Sequence, residues 1–232
     1  MTSHSDTQAD IVRTLKAGTT RFLGIDMAVA EGALVPREET ELLGRTALDL
    51  LRGEATSHPL RVIDMCCGSG NLACAIATLH PAVQVWASDL TDGAISVARQ
   101  NVRHLGLDAR VTVVQGDLFA PLAGQGLEHT IDMVVCNPPY ISTGKLSKER
   151  AELLVHEPRE AFDGGPYGVS IFQRVVRDAA AFLKPRGHLL FEIGEGQERQ
   201  VTLLLARSGI YAPATTVANA AGTPRVVAVA KI

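Results

Sequence analysis

The chain has 232 residues, 46% hydrophobic and 20% charged, which suits one folded core with elaborated ends and would make two full domains cramped. Its 22 basic and 25 acidic residues give a net charge of −3 without a long Lys/Arg block, so nucleic acid is an unlikely partner, because gripping a duplex takes a basic patch that neutralises several phosphates. No run approaches the ~20 apolar residues that span a bilayer, and the first residues carry no basic-then-apolar leader, so no membrane is expected and the chain reads as cytoplasmic. The four cysteines, Cys66, Cys67, Cys74 and Cys136, lack the paired C-x-x-C spacing of a zinc site and read as reduced, mostly buried thiols. The seven histidines show no metal spacing either, so no metal is expected.

Residues 1–21 read as an N-terminal extension to a domain over 22–232. Within it Met1–Gln8 look loose, and Ile11, Val12 and Leu15 make at most a turn and a half of apolar surface. Phe22–Leu34 fits a short hairpin. A helix begins after Pro36, with Glu38, Glu39 and Glu41 in its first turn where acids favour the helix dipole, and Leu43, Ala47, Leu50 and Leu51 carry its apolar face to Gly53. From residue 60 short apolar runs alternate with helical periodicity, the signature of β-α-β units around a parallel sheet. The runs are Leu60–Met65, Val83–Ser88, Val111–Gln115, Ile131–Cys136 and His188–Ile193. Helix signals cover Asn71–His80, Asp92–Leu105, Ser170–Leu183 (closed by Lys184-Pro185-Arg186-Gly187) and Gln197–Ser208 (closed by Gly209). On the second of these, Ala94, Val97, Ala98, Asn101 and Val102 trace one face. After Gly222-Thr223-Pro224, the β-rich run Arg225–Ile232 returns as a last strand.

Chemistry concentrates at strand ends, where open α/β sheets bind ligands. The first run ends in Asp64-Met65-Cys66-Cys67-Gly68-Ser69-Gly70, a small-residue turn that lets a ligand approach the backbone; alone it is also an ordinary tight turn. It has neither the G-x-G-x-x-G order of a dinucleotide fingerprint nor the Gly-Lys-Ser/Thr of a phosphate loop. The second run leads to Asp89, a carboxylate that can accept from both hydroxyls of a ribose diol. The third leads to Asp117, which can accept from an adenine amino group, and Leu118, which can cover the ring. Each acid alone is as well explained by a helix cap or a loop; three successive strand ends are not. The fourth run is followed by Asn137-Pro138-Pro139-Tyr140. Its two prolines remove two N–H donors and leave carbonyls free to accept from a substrate NH₂. Asn137 adds a side-chain oxygen and Tyr140 an aromatic face, a set that can hold a planar nitrogen and stabilise charge developing on it. The alternative is a rigid turn that ends a strand. No His or Asp beside it is an obvious base, so catalysis there would rest on proximity and electrostatics.

Over about residues 22–232 the chain resembles the HemK/PrmC family of release-factor glutamine methyltransferases. The resemblance rests on Val35-Pro36-Arg37-Glu38-Glu39-Thr40-Glu41, on Asn-Pro-Pro-Tyr, on Glu157-Pro158-Arg159-Glu160-Ala161 with Asp163-Gly164-Gly165 and Gly168, and on Phe182-Leu183-Lys184-Pro185 with Gly187. Glu192-Ile193-Gly194 before Gln197 and Ala221-Gly222-Thr223-Pro224-Arg225-Val226-Val227 complete it. It implies a class I, Rossmann-like α/β fold, doubly wound, whose mostly parallel seven-stranded sheet carries a C-terminal antiparallel strand. It also implies S-adenosylmethionine contacts at Thr40, Asp64, Cys66, Cys67, Gly68, Ser69, Gly70, Asp89, Asp117, Leu118 and Asn137, with a substrate amide at Asn137, Pro138, Pro139 and Tyr140. Two departures stand out. Cys66 occupies the place of the turn's first glycine, and Cys67 that of a Thr or Gly, so the backbone's approach to the cofactor is expected to differ there.

The Asn-Pro-Pro-Tyr tetrapeptide is shared with adenine and cytosine N-methyltransferases, so it specifies nitrogen chemistry more than substrate. The implied reaction is methylation of an amide-type nitrogen, glutamine N5 of a release-factor-like protein. The alternatives are a small-molecule or nucleobase N-methyltransferase and a non-catalytic cofactor-binding subunit. No segment of this sequence matches the family's N-terminal helical domain, which leads to the expectation of either a small activating subunit or a small substrate enclosed under Ile141–Gly168 as a lid.

Overall fold

A computed structural model describes residues 4–53, 58–149 and 151–232. Helix α1 (His4–Ala17) leads into a hairpin of β1 (Thr19–Phe22) and β2 (Ile25–Ala28), followed by α2 (Glu38–Arg52). Then β3 (Leu60–Met65), α3 (Asn71–Leu79), β4 (Val83–Asp89), α4 (Asp92–His104) and β5 (Val111–Gln115) alternate. After β6 (Ile131–Cys136) come α5 (Thr143–Glu149), α6 (Ser170–Phe182), β7 (Leu183–Glu192), α7 (Glu198–Ser208), β8 (Thr215–Ala218) and β9 (Pro224–Ala230).

Seven strands form one sheet in the order β5-β4-β3-β6-β7-β9-β8. From β5 to β7 neighbours are parallel, while β9 runs antiparallel to both β7 and β8, as the resemblance implies. Strand order reverses between β3 and β6, whose ends are paired through Met65 and Cys136. That reversal opens a crevice at the carboxyl edge of the sheet, the general ligand position in such folds.

The two-residue period of a strand divides the core. Val62, Val85, Met133 and Leu190 point to one face, covered by buried Leu43, Leu51, Leu72 and Ile76 with Phe22 and Met27 of the hairpin. Ile63, Met65, Val134 and Phe191 point to the other, against Phe172, Val175 and Val201 of α6 and α7.

Four elements differ from the sequence expectation. The hairpin lies at Thr19–Ala28, ahead of the expected Phe22–Leu34, because its two-residue turn is Leu23-Gly24, with φ of 48° and 82°. Both central residues of such a turn need positive φ, and leucine is a poor sequence signal for that. Helix α1 is longer than the apolar turn and a half expected: it buries Ile11 and takes in residues 4–8 of the stretch read as loose, whose first three residues lie outside the described ones. Strand β7 begins at Leu183, five residues early, with a register shift between Ile131 and Met133 and Arg186 at φ 64°, so Lys184–Gly187 form a bulged strand start. Strand β8, four mostly exposed residues at the sheet edge, was not anticipated; a short edge strand lacks the apolar alternation that marks a buried one.

Asn101, read as part of the apolar face of α4, is fully buried and acts as a rivet. Its Oδ1 accepts from Ala28 N at 2.7 Å, and its Nδ2 donates to Ala28 O at 3.0 Å and Ser69 O at 2.9 Å. One carboxamide thus ties the hairpin to the turn after β3. Replacing Asn101 with Ala should lower the unfolding free energy by about 2–4 kcal/mol in urea titrations, because it leaves three backbone groups unpaired; a change below about 0.5 kcal/mol would show the rivet to be dispensable.

Candidate active site

The turn after β3 is built around Asp64, which is fully buried. Its Oδ2 accepts from Ala73 N in the first turn of α3 at 2.9 Å, while Oδ1 has no hydrogen-bond partner. Burial pushes the Asp64 carboxyl up from 3.8 to about 8, with the Ala73 N–H opposing and the Asp89 charge adding to the rise. Next in the turn, Cys66 takes φ 59°, a left-handed conformation natural to glycine. A cysteine here holds a backbone conformation that glycine would take without strain. Gly70 (φ 74°) has a steric reason to be glycine, since a Cβ there would stand 3.1 Å from Cβ of Ala98 where α3 crosses α4. Cys66, Cys67 and Gly68 line a cleft; Asp64, Ser69 and Gly70 sit behind them and hold the wall.

That cleft has a volume of about 290 Å³, near the lower end of the ~300–1,000 Å³ usual for small-molecule sites. Asp89 lies on its wall, half-buried, with Oδ2 accepting from Gly68 N at 2.9 Å and Oδ1 from Thr91 N at 3.1 Å. Thr91 Oγ1 also donates to Oδ1, at 3.3 Å, so of about four acceptor directions Asp89 keeps one for a ligand while it braces the turn. Leu118 (φ 51°) is buried against the cleft, its carbonyl held by Ser88 Oγ at 2.9 Å. Asp117 stands exposed at the rim and pairs with Arg174 at 2.7 Å, a partner 57 residues away in the chain that no local spacing suggests.

On the opposite side, Pro36, Arg37 and Thr40 bring the start of α2 to the cleft, and Pro158–Ala161 with Asp163 roof it. The two are clamped together. Buried Glu157 accepts from Arg37 Nη2 at 2.5 Å through one oxygen and from Val35 N at 2.9 Å through the other.

Asn137 and Pro139 line the same cleft, whereas Pro138 and Tyr140 lie behind it. Asn137 Nδ2 donates to Thr40 Oγ1 at 3.2 Å. Tyr140 points its hydroxyl at Glu192 Oε1, 3.5 Å away; burial first, and then the Glu192 charge, push the phenol up to about 12. Its backbone is gripped closely. A Cβ on Gly164 would stand 2.7 Å from Pro139 O, one on Gly168 2.5 Å from Tyr140 O, and one on Gly194 2.9 Å from the Tyr140 ring. Gln197 completes the grip, its Oε1 accepting from Gly194 N at 2.9 Å and its Nε2 donating to Tyr140 O at 3.0 Å and Gly168 O at 3.3 Å.

Thus Thr40, Cys66, Cys67, Gly68, Asp89, Asp117, Leu118, Asn137 and Pro139 meet around one cleft. Residue-by-residue chemistry missed Arg37, Glu157, Glu192, Gln197 and Arg225, which entered only within segments that resemble the family; their signal was position in those segments, and their roles are visible only in three dimensions.

Two outcomes follow from this geometry. Asp64 carries a pKa above its unfolded value, so the folded protein holds the proton more tightly and stability falls as pH rises from about 4 to about 8. In the ligand-free protein, Asp64→Asn should remove that slope and gain stability relative to wild type as pH rises toward 8; a wild-type-to-variant gap that stays constant in denaturant titrations from pH 4 to 8 would contradict it. At Gln197, a carboxylate would face two carbonyl oxygens, so Gln197→Glu should depress melting temperature and turnover more than Gln197→Ala. The reverse order would show that the donor end of Gln197 is not what holds the turn.

Residues 48–167 match the methyltransferase small domain family. The chain is 37% identical over 210 residues to a release factor glutamine methyltransferase from Gloeobacter violaceus, covering 90% of this chain and 71% of that one. It is 41% identical over 180 residues to a ribosomal protein uL3 glutamine methyltransferase from Bradyrhizobium diazoefficiens, covering 75% of this chain and 55% of that one. The fold is similar to that of a methyltransferase from Pyrococcus furiosus, with a TM-score of 0.63 at 15% identity over 98% of both chains. Among the described residues no helix is long and apolar enough to cross a membrane. With this fold, this cleft and these relatives, the chain belongs to the release factor glutamine methyltransferase family of methyltransferases.

Proposed function

We propose that the chain, with residues 1–21 as an extension on a methyltransferase domain of 22–232, transfers a methyl group from S-adenosylmethionine to the side-chain nitrogen of a glutamine in a release-factor-like protein. The observation that carries this reading is the meeting of Asn137 and Pro139 with Asp89, Leu118 and the Cys66–Gly68 turn around one cleft. The residues fit the cofactor. Gly68 has open space where a Cβ would stand, and Asp89 keeps an acceptor direction for a ribose hydroxyl. When bound, the cofactor supplies a methyl group made electrophilic by its sulfonium.

The protein's own residues act on the amide. Asn137 Oδ1 and one of the backbone carbonyls that the two prolines leave free accept the two N–H groups, orient the nitrogen and stabilise the charge it gains. No backbone N–H of the described residues occupies the Pro138 or Pro139 carbonyls. An amide nitrogen is a weak nucleophile, so the rate depends on this positioning, and the proton leaves once methylation has made the nitrogen acidic. The uL3-directed relative gives the second reading, in which the glutamine belongs to a ribosomal protein.

Titration calorimetry tests the cofactor assignment. Asp89→Ala should weaken S-adenosylmethionine binding on the order of 10²-fold, from loss of a charge-assisted hydrogen bond to the ribose together with the hold on Gly68; equal affinity would place the ribose elsewhere. Parallel assays on a full-length release factor and on ribosomal protein uL3 separate the two protein substrates. Asn137→Ala should lower turnover on the better one by on the order of 10²-fold, and unchanged turnover would remove Asn137 from the reaction.

A further inference from the structure

Within 153–161 Glu157 alone is buried, and it is a carboxylate, 4% exposed. Around it Val155, Arg159 and Glu160 stand exposed, and the short turn Arg159–Ala161 buries nothing. Apolar anchoring resumes only at Phe162. Among the described residues, the polar ties from 153–161 to a distant part of the chain all belong to Glu157, whose two oxygens reach Val35 N at 2.9 Å and Arg37 Nη2 at 2.5 Å.

That contact joins two walls of one cleft, Pro36, Arg37 and Thr40 on one side and Pro158, Arg159 and Glu160 on the other. A fastening whose sole task is to hold walls together does not need charge, since apolar side chains of similar volume hold as well or better once desolvation is included. A charged fastening does permit opening. When the walls part, water takes over both groups, and the Arg37 side chain, 24% exposed, already has solvent beside it. With so little apolar surface to uncover, a strap held at its middle by one polar contact opens far more readily than the fold around it.

We propose that Glu157 is the latch of a cofactor gate: the Arg37–Glu157 contact parts, and 153–161 swings away, each time S-adenosylmethionine enters or its demethylated product leaves. The far end of the strap supplies the fixed point. Phe162 O accepts from Ile141 N at 2.9 Å, Gly164 N donates to Ile141 O at 2.8 Å, and Asp163 Oδ1 accepts from Thr143 Oγ1 at 2.6 Å. The gate rests on the reading of the cleft as the cofactor's site. It is a smaller piece than the 141–168 lid expected from the sequence, and it governs cofactor exchange where that lid would enclose a substrate.

A gate and a binding contact differ in their rates. If exchange passes through the open strap, entry and departure both scale with the open fraction, so a weaker latch speeds both and leaves the affinity nearly constant. Loss of a direct contact to the cofactor instead raises the departure rate and weakens affinity in step.

Labelled S-adenosylmethionine chased with excess unlabelled cofactor gives koff, and titration calorimetry gives Kd and hence kon. Glu157→Gln and Arg37→Met each weaken the charge-assisted contact and should raise koff and kon together on the order of 10-fold, with Kd held within about threefold. The double variant Arg37→Met/Glu157→Gln removes both charges and leaves neither unpaired; its acceleration should fall short of the product of the two single ones. A second readout needs no cofactor. The Val35 N–H donates to Glu157, so its hydrogen exchange reports the latch itself and should speed up in both single variants. Exchange at Val35 as slow in the variants as in wild type, koff unchanged in all three, or koff rising in step with Kd at constant kon overturns the gate. Wild type that binds no S-adenosylmethionine removes the cofactor reading and the gate with it, whereas the expected rates in a chain that methylates no glutamine leave the gate standing and remove only the proposed substrate.

Discussion

Pro138 and Pro139 have no N–H to give, and that constraint shapes the whole neighbourhood of the cleft. A turn that cannot pair its own backbone must be held by others, and here the holders come from two stretches, 164–168 and 194–197. Gly164 and Gly168 let the backbone after the roof press against Pro139 and Tyr140, Gly194 lets the end of β7 lie on the tyrosine ring, and Gln197 ties Gly194 and Gly168 to Tyr140. Each glycine is there because a single carbon would collide, and each sits in a segment that otherwise has no evident reason to be invariant in shape. The carbonyls left over by the prolines are the free acceptors that nitrogen chemistry requires.

Acids at the ends of three neighbouring strands illustrate how environment divides roles among like side chains. Asp64 is sealed beneath the turn and holds the start of α3, Asp89 is half-buried and braces the turn from the cleft side, and Asp117 sits in solvent with Arg174. Desolvation dominates the first, and solvent screens the exposed ion pair of the third. Only Asp89 combines cleft exposure with fixed geometry, which is what selective acceptance from a diol requires. The Arg37–Glu157 clamp adds a second constraint by tying the entrance to α2 to the roof, so the wall bearing Thr40 and the roof near Asp163 are positioned together.

Much of this was legible in the sequence, for reasons that can be named. The central strands are short, doubly buried apolar runs, and α4 and α6 have clear apolar faces, so period and length identified them. The order of strand-end motifs then placed the cleft. What escaped notice lacked such a signal. Leu23-Gly24 turns a hairpin without the Asn-Gly or Asp-Gly pair that announces one, and β8 is short, edge-lying and exposed. Helix α1 buries Ile11 against the rest of the fold through a tertiary contact that local pattern does not record. Glu192 read as the polar end of a strand and Gln197 as the start of a helix; that both converge on Tyr140 follows from the β6–β7 pairing and not from their spacing in the chain. Asn101 is the clearest case of a polar residue on an apolar helix face whose reason lies in backbone groups 32 and 73 residues away.

The most direct measurement is the location of the transferred methyl group. Incubating the chain with a release factor and isotopically labelled S-adenosylmethionine, then sequencing the labelled peptide by fragmentation mass spectrometry, reads the bonded atom itself. The expected result is one label on the side-chain nitrogen of a glutamine, lost when that glutamine is replaced. A label on oxygen, sulfur or carbon would contradict the assignment of the Asn137–Tyr140 turn as a site for a planar nitrogen.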